Sequence, residues 1–290
     1  MDELGALLTA PLTVLDPLRI AVILLAIGLG GGVKGAIGFG FPLVTTPVTS
    51  ALWDARHAVL LISFASLVNN IGVVARGGGS RRTFRRIILL MSGLVVGTVG
   101  GAFLLASVPA SALSIVVGCA ALVFASVAVL KPDLAVPPHL ERYLALPMGI
   151  LGGLLGGATS ISGPFIASYT HALRLSKQEF VFFLSLLYLV GASIQVVSYL
   201  ALGLYDAATL VVGVVSCLPN LLGVWLGLRI QSRIDQALFR RIVVATIGVS
   251  GAVLGTIIAP GGSKVLGTII GAGAGALIGR AIDDGDMVCR

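Results

Sequence analysis

G-L-G-G-G-V-K-G-A-I-G-F-G-F-P, from Gly28 to Pro42, breaks an apolar run with glycines and closes on a proline. A second break of the same kind, G-G-L-L-G-G-A-T-S-I-S-G-P, runs from Gly152 to Pro164. At one constant offset Gly31 falls on Gly153, Gly35 on Gly157 and Pro42 on Pro164. Hydrophobic segments interrupted at corresponding places in two halves of a chain are the best sequence pointer to a transporter binding site.

The chain carrying these breaks is 57% hydrophobic and 11% charged, with a mean hydropathy of +1.07. Soluble domains carry about 25% charged residues, so a chain this apolar belongs in lipid. Apolar runs recur near Leu18–Leu52, Ala58–Ala75, Ile87–Ala106, Leu113–Leu130, Tyr143–Tyr169, Phe180–Leu202, Ala207–Leu228 and Ile242–Ile258. Most reach the roughly 20 residues a helix needs to cross a bilayer, and none alternates as membrane-barrel strands do. The expected fold is an all-α polytopic membrane protein of two four-segment repeats, with segments 1 and 5 glycine-broken. Residues 1–130 form the first repeat, 131–142 a cytoplasmic linker, 143–259 the second repeat and 260–290 a tail. Met1-Asp2-Glu3 lacks the basic start of a secretory signal, so the first span is expected to be retained.

The net charge of +7 does not point to nucleic acid, because the arginines cluster in short loops between spans. Arg76, Arg81, Arg82, Arg85 and Arg86 follow the second apolar run, and Arg229, Arg233, Arg240 and Arg241 precede the last. Positive-inside logic places both groups in the cytoplasm, which eight simple crossings cannot do. The conflict vanishes if each glycine-broken segment enters and leaves on the same face as a re-entrant hairpin. The repeats are then inverted. Trp53–His57, Ser107–Ser111 and Gly203–Asp206 fall outside, with both termini, while Arg76–Arg86, Lys131–Arg142, Arg174–Lys177 and Arg229–Arg241 fall inside. Two parallel halves with full crossings would instead leave four arginines outside. The halves match beyond the breaks too: Asp54-Ala55-Arg56 aligns with Ser176-Lys177-Gln178, and Gly97 and Gly101 align with Gly223 and Gly227 at a slightly longer offset.

The residues G-G-G-V-K-G-A-I-G-F-G-F-P-L, with their echo at Gly152–Pro164, resemble the TauE/SafE family of sulfite exporters over roughly residues 18–259. The echo departs from the family pattern at Thr159-Ser160-Ile161-Ser162, where a more glycine-rich stretch is commoner. The resemblance implies a multi-pass permease of the bacterial inner membrane that moves sulfite, sulfonates or related small sulfur-containing anions.

The breaks can bind an anion by their own chemistry. Freed backbone groups survive in hydrocarbon only under protein or beside a watery cavity. Pro42 and Pro164 suit the first turn of an outgoing half-helix, where a missing N–H costs nothing. Each such limb aims its positive end at the membrane midplane, and two ends together would cradle one small oxyanion. The expected substrate-binding set is Lys34, Gly38, Phe39, Gly40, Pro42, Thr159, Ser160, Ser162 and Pro164. Hydroxyls at Thr159, Ser160 and Ser162 would donate to the anion or cap the half-helix. Lys34 is the sharpest residue, because a lysine within a span is normally paired or functional and no span holds an aspartate or glutamate. It either meets a substrate anion or snorkels to the interface and backbone carbonyls. Asn69, Asn70, Gln195 and Asn220 would line a pore or hydrogen-bond between helices, as would Ser63, Ser66, Ser185 and Ser193.

Other chemistry is thin. His57, His139 and His171 are scattered at span ends, and Cys119, Cys217 and Cys289 have no metal-like spacing, so no metal, cofactor or enzyme is expected. Without a buried acidic relay, coupling through substrate protonation, through sodium at helix carbonyls, or by facilitated diffusion all stay open. The tail G-T-I-I-G-A-G-A-G-A-L-I-G, Gly267 to Gly279, resembles glycine-zipper segments of outer-membrane antigens and reads as an association element or as disorder. Glycine-rich faces would serve internal packing or a homo-oligomer equally well. The leading function is a secondary transporter of small anions; a fixed-pore anion channel and a membrane scaffold or receptor are the alternatives.

Overall fold

A computed structural model describes residues 16–38, 40–75, 77–109 and 138–231. The expected spans Leu113–Leu130 and Ile242–Ile258, the chain termini, the glycine-rich tail, Phe39, Cys119 and Cys289 lie outside the described residues. Within them the protein is all-α. The helices are α1 Pro17–Ile37, α2 Phe41–Leu52, α3 Ala55–Val74, α4 Arg81–Ser107, α5 Pro138–Thr159, α6 Gly163–Ala172, α7 Lys177–Ala201 and α8 Ala207–Gln231. Five of these, α1, α3, α4, α7 and α8, are long and apolar enough to cross a membrane. The fold is that of a polytopic membrane protein.

The helix starts repeat between the halves. Asp54 caps α3 by accepting from the backbone N–H groups of Arg56 and His57, and Ser176 caps α7 by accepting from that of Glu179. Ser80 caps α4 by accepting from Thr83, and Asp206 accepts from the Thr209 N–H at the start of α8. Such side-chain acceptors satisfy amides that have no partner inside the helix. Burial opposes ionisation of Asp54 and of Asp206. The His57 ring and backbone N–H groups outweigh it at Asp54, and the Thr209 contacts together with the His57 ring do so at Asp206, so both sit below the ordinary carboxylate range.

Each glycine-broken run folds back on itself. A Cβ on Gly30 would meet Phe41 and Thr45, and one on Gly152 would meet Phe165 and Ile166, so α2 lies against α1 and α6 against α5. Leu52 and Trp53, at the end of α2, pack on the same cluster as Ile20, near the start of α1. At 12 and 10 residues, α2 and α6 extend about 18 and 15 Å, half of a bilayer core.

The halves then exchange partners. The most extensive contacts join α1 to α8 and α4 to α5, and α3 packs on α7 between them. Both large contacts are glycine crossings. In α4 and α5, a Cβ on Gly97 would collide with the Ile150 carbonyl, on Gly101 with that of Leu154, on Gly153 with that of Leu94 and on Gly157 with that of Thr98. In α1 and α8, a Cβ on Gly35 would strike the Val224 carbonyl, on Gly223 that of Gly28 and on Gly227 that of Gly32. Small residues at helical spacing let backbones approach this closely in a membrane, where no hydrophobic effect drives helices together.

The loops gather at two opposite ends. Arg56 donates to the Val108 carbonyl at 3.1 Å, and His57 lies between Asp54 and Asp206, joining the segments around residues 54, 108 and 206. At the other end Arg86 forms a two-pronged ion pair with Glu141, and the Ser80 and Thr83 hydroxyls donate to Glu179. The glycine crossings set a test. Gly97→Val should destabilise the protein by at least about 1–3 kcal/mol through overpacking, read as a lower melting midpoint in detergent. Gly72→Ala, on an open face of α3 with nothing within 4 Å, should hold the midpoint or raise it slightly, since alanine favours the helix.

Candidate functional site

The first break is built by two glycines. Gly38 and Gly40 hold φ of 85° and 93°, which side-chain-bearing residues rarely adopt, and these turns end α1 and start α2. The Gly38 N–H caps α1 on the Lys34 carbonyl at 2.7 Å, and Pro42 falls in the first turn of α2. Ser160 takes the matched place in the second break, with φ of 59°. Its hydroxyl donates to the Val59 carbonyl of α3 at 3.2 Å, a bond that holds the unusual backbone in place. Thr159 donates to the Leu155 carbonyl and accepts from the Ile161 N–H, so its hydroxyl caps the break. Pro164 is the second residue of α6.

Lys34 projects from α1 into a cavity of about 450 Å³. The cavity walls are largely apolar, from Val73, Val181, Phe182, Val224 and Leu228, with Gln178 and Ser185 as polar side chains besides the lysine. Gly77 and Gln178 put one end of the cavity beside the starts of α4 and α7, where Arg81 and Arg82 open α4. Lys34 is only 6% exposed. Its Nζ donates to Asn70 Oδ1 at 2.5 Å and lies 5.7 Å from the centre of the Tyr188 ring. Asn70 is oriented by its own amide N–H, which donates to the Ser66 carbonyl at 2.7 Å, so its oxygen faces the lysine. The cavity lining includes no carboxylate among the described residues.

Of the described residues expected from sequence, Lys34, Gly38 and Ser185 line this cavity, and Asn70 reaches it by holding Lys34. Gln195 donates to the Gly156 carbonyl at 2.5 Å and Asn220 to the Ala65 carbonyl at 2.9 Å, so these two amides tie helices together. Asn69 is 2% exposed, and neither side-chain atom has a hydrogen-bond partner among the described residues. The two breaks do not close on one point. Lys34 meets α3 at Asn70 and Ser160 meets it at Val59, about 16 Å apart at the helical rise. The reason is length. At 21 residues α1 runs about 31 Å before it breaks, nearly a full bilayer core rather than half.

Tyr188 and Gln178 escaped the sequence reading. Tyr188 is an aromatic residue inside an apolar run, and Gln178 reads as an ordinary helix-start residue, so neither gives a local signal. Ser160 yields a prediction about the second break. Ser160→Gly should stay within about 1 kcal/mol of the parent, losing one hydrogen bond but relieving left-handed strain. Ser160→Val should cost more than that, since a β-branched residue at this φ is a true outlier. Detergent melting midpoints of the two variants would check the order.

The sulfite exporter TauE/SafE family model matches residues 23–254. No curated protein matches the chain, and no solved structure does. A match over this share of the sequence settles membership: the chain belongs to the TauE/SafE family, whose members are membrane transporters of the sulfite-exporter type.

Proposed function

We propose that this TauE/SafE-family transporter carries a small anion, a sulfur oxyanion or an organosulfonate, that enters through the Lys34 cavity. The observation that carries the reading is a buried lysine on the cavity wall whose hydrogen-bond partner is a neutral amide, not a carboxylate. Lysine within a span is expensive to insert and is ordinarily paired with an opposite charge. Here Asn70 supplies a dipole only, and a substrate anion would supply the charge. A charge-assisted hydrogen bond of this kind is about twice as strong as a neutral one.

The positive ends of α2 and α6 support the reading as auxiliary donors rather than as one shared cradle. On the proposed topology the halves form an inverted repeat, the arginine-bearing loops are cytoplasmic and the described state opens toward the cytoplasm. The exchange of partners between halves supports it, because α1 meets α8 as α5 meets α4. The bacterial inner membrane is the proposed location.

Purified protein in liposomes, offered sulfite, sulfate, thiosulfate and a sulfonate panel, tests the substrate and the lysine together. Lys34→Met should insert normally but lower anion flux about tenfold or more, as expected for losing a charged hydrogen bond of about 1.5–3 kcal/mol. Lys34→Arg should retain part of the flux. Unchanged kinetics in Lys34→Met would remove the lysine from the substrate path.

A further inference from the structure

Helix α7 touches both breaks, and it does so in order along its length. Ser185 and Phe182 line the Lys34 cavity. Further along, Gln195 donates to the Gly156 carbonyl and the Tyr199 hydroxyl donates to the Gly157 carbonyl, both just before the second break. Tyr188 stands between these groups. Its ring centre is 5.7 Å from Lys34 Nζ, and its hydroxyl lies 3.4 Å from the place a Cβ on Gly163 would occupy, at the start of α6. One side chain therefore meets the charged residue of the first hairpin and the outgoing half-helix of the second.

We propose that Tyr188 is the partition of the transport path, separating the Lys34 cavity from the second break, so that a solute crosses only when the ring is displaced. The inference rests on the Lys34 cavity being the substrate's point of access, and it goes further in naming what blocks the way onward. The physical basis is position. The Lys34 and Ser160 levels are about 16 Å apart along α3, and the Tyr188 ring and hydroxyl occupy the space between the two hairpins. The ring also offers its negative face to the ammonium, a contact that holds the partition shut while the cavity is empty. An anion on Lys34 would compete for the same charge and loosen that hold.

Thiol accessibility tests the partition without needing the substrate. In a background lacking Cys119, Cys217 and Cys289, single cysteines are introduced by Val181→Cys in the cavity and Ser162→Cys at the second break. A membrane-impermeant maleimide is then applied from the face of the arginine-bearing loops. The cavity cysteine should label rapidly whatever stands at position 188. The break cysteine should label slowly with Tyr188 or Tyr188→Phe present, and at least tenfold faster with Tyr188→Ala. Tyr188→Leu, which keeps apolar bulk, should give an intermediate rate and serves if the alanine variant does not fold. Equal labelling of the break cysteine with and without the ring would overturn the proposal, as would an unreactive cavity cysteine. Normal transport in Lys34→Met would instead sink the functional reading, with the labelling result still deciding the partition.

Discussion

Everything in this molecule depends on backbone meeting backbone at two glycine crossings. In lipid, apolar side chains gain nothing by leaving their surroundings, so helices associate through close packing and polar contacts. The carbonyls of Gly28, Gly32 and Val224 on one crossing, and of Leu94, Thr98, Ile150 and Leu154 on the other, sit where side chains would otherwise stand. That closeness also permits weak Cα–H···O contacts, each small and all repeated. Because α1 is fixed to α8 and α5 to α4, each hairpin is anchored on the far half of the chain. The half-helices α2 and α6 can therefore turn back inside the protein, where neighbouring helices cover their irregular backbone.

Much of this was legible in the sequence, and for identifiable reasons. Hydropathy gave the long helices, because lipid leaves no alternative for a run of 20 apolar residues. The offset of Gly31 and Gly153 marked equivalent positions, and these two glycines do face carbonyls at the two equivalent crossings, Gly31 that of Asn220 and Gly153 that of Leu94. The second pair of matches, Gly97 with Gly223 and Gly101 with Gly227, supplies the opposite faces of the same crossings. Sequence could show that these glycines correspond; it could not show that α1 and α8 would be partners, since contact across the chain leaves no local trace.

The site was less legible. A break is visible as glycines and proline, but its depth depends on how long the preceding helix runs. The apolar run from Leu18 marks where α1 begins, but a midplane break requires a helix of half a bilayer, and no residue before Gly38 marks α1 as nearly twice that length. In the structure Lys34 meets α3 about one turn from its C-terminal end, while Ser160 meets it about one turn from its start. The serine-rich departure in the second break has a local cause as well. Ser160 replaces Gly38 at the left-handed position, and its bond to Val59 does for the backbone what glycine's missing Cβ does in the first break.

The two matched breaks differ in charge. The offset that places Gly38 on Ser160 places Lys34 on Gly156. There the neighbouring α7 contributes Gln195, donating to the Gly156 carbonyl, and a Cβ on Gly156 would already touch the Ser162 side chain. The second break thus carries a neutral hydrogen bond at the place where the first carries a lysine. On the proposed reading this asymmetry makes the first break the stronger holding point for the anion. An anion held by Lys34 has a charged partner at the first break, whereas the second break offers the Thr159 and Ser160 hydroxyls and the start of α6. An anion moves on only when its gradient or a competing contact offsets that hold, so the asymmetry sets where it dwells and not which way it travels. A second lysine at position 156 would cost the close packing of α5 against α7 and would create a second trap for the solute.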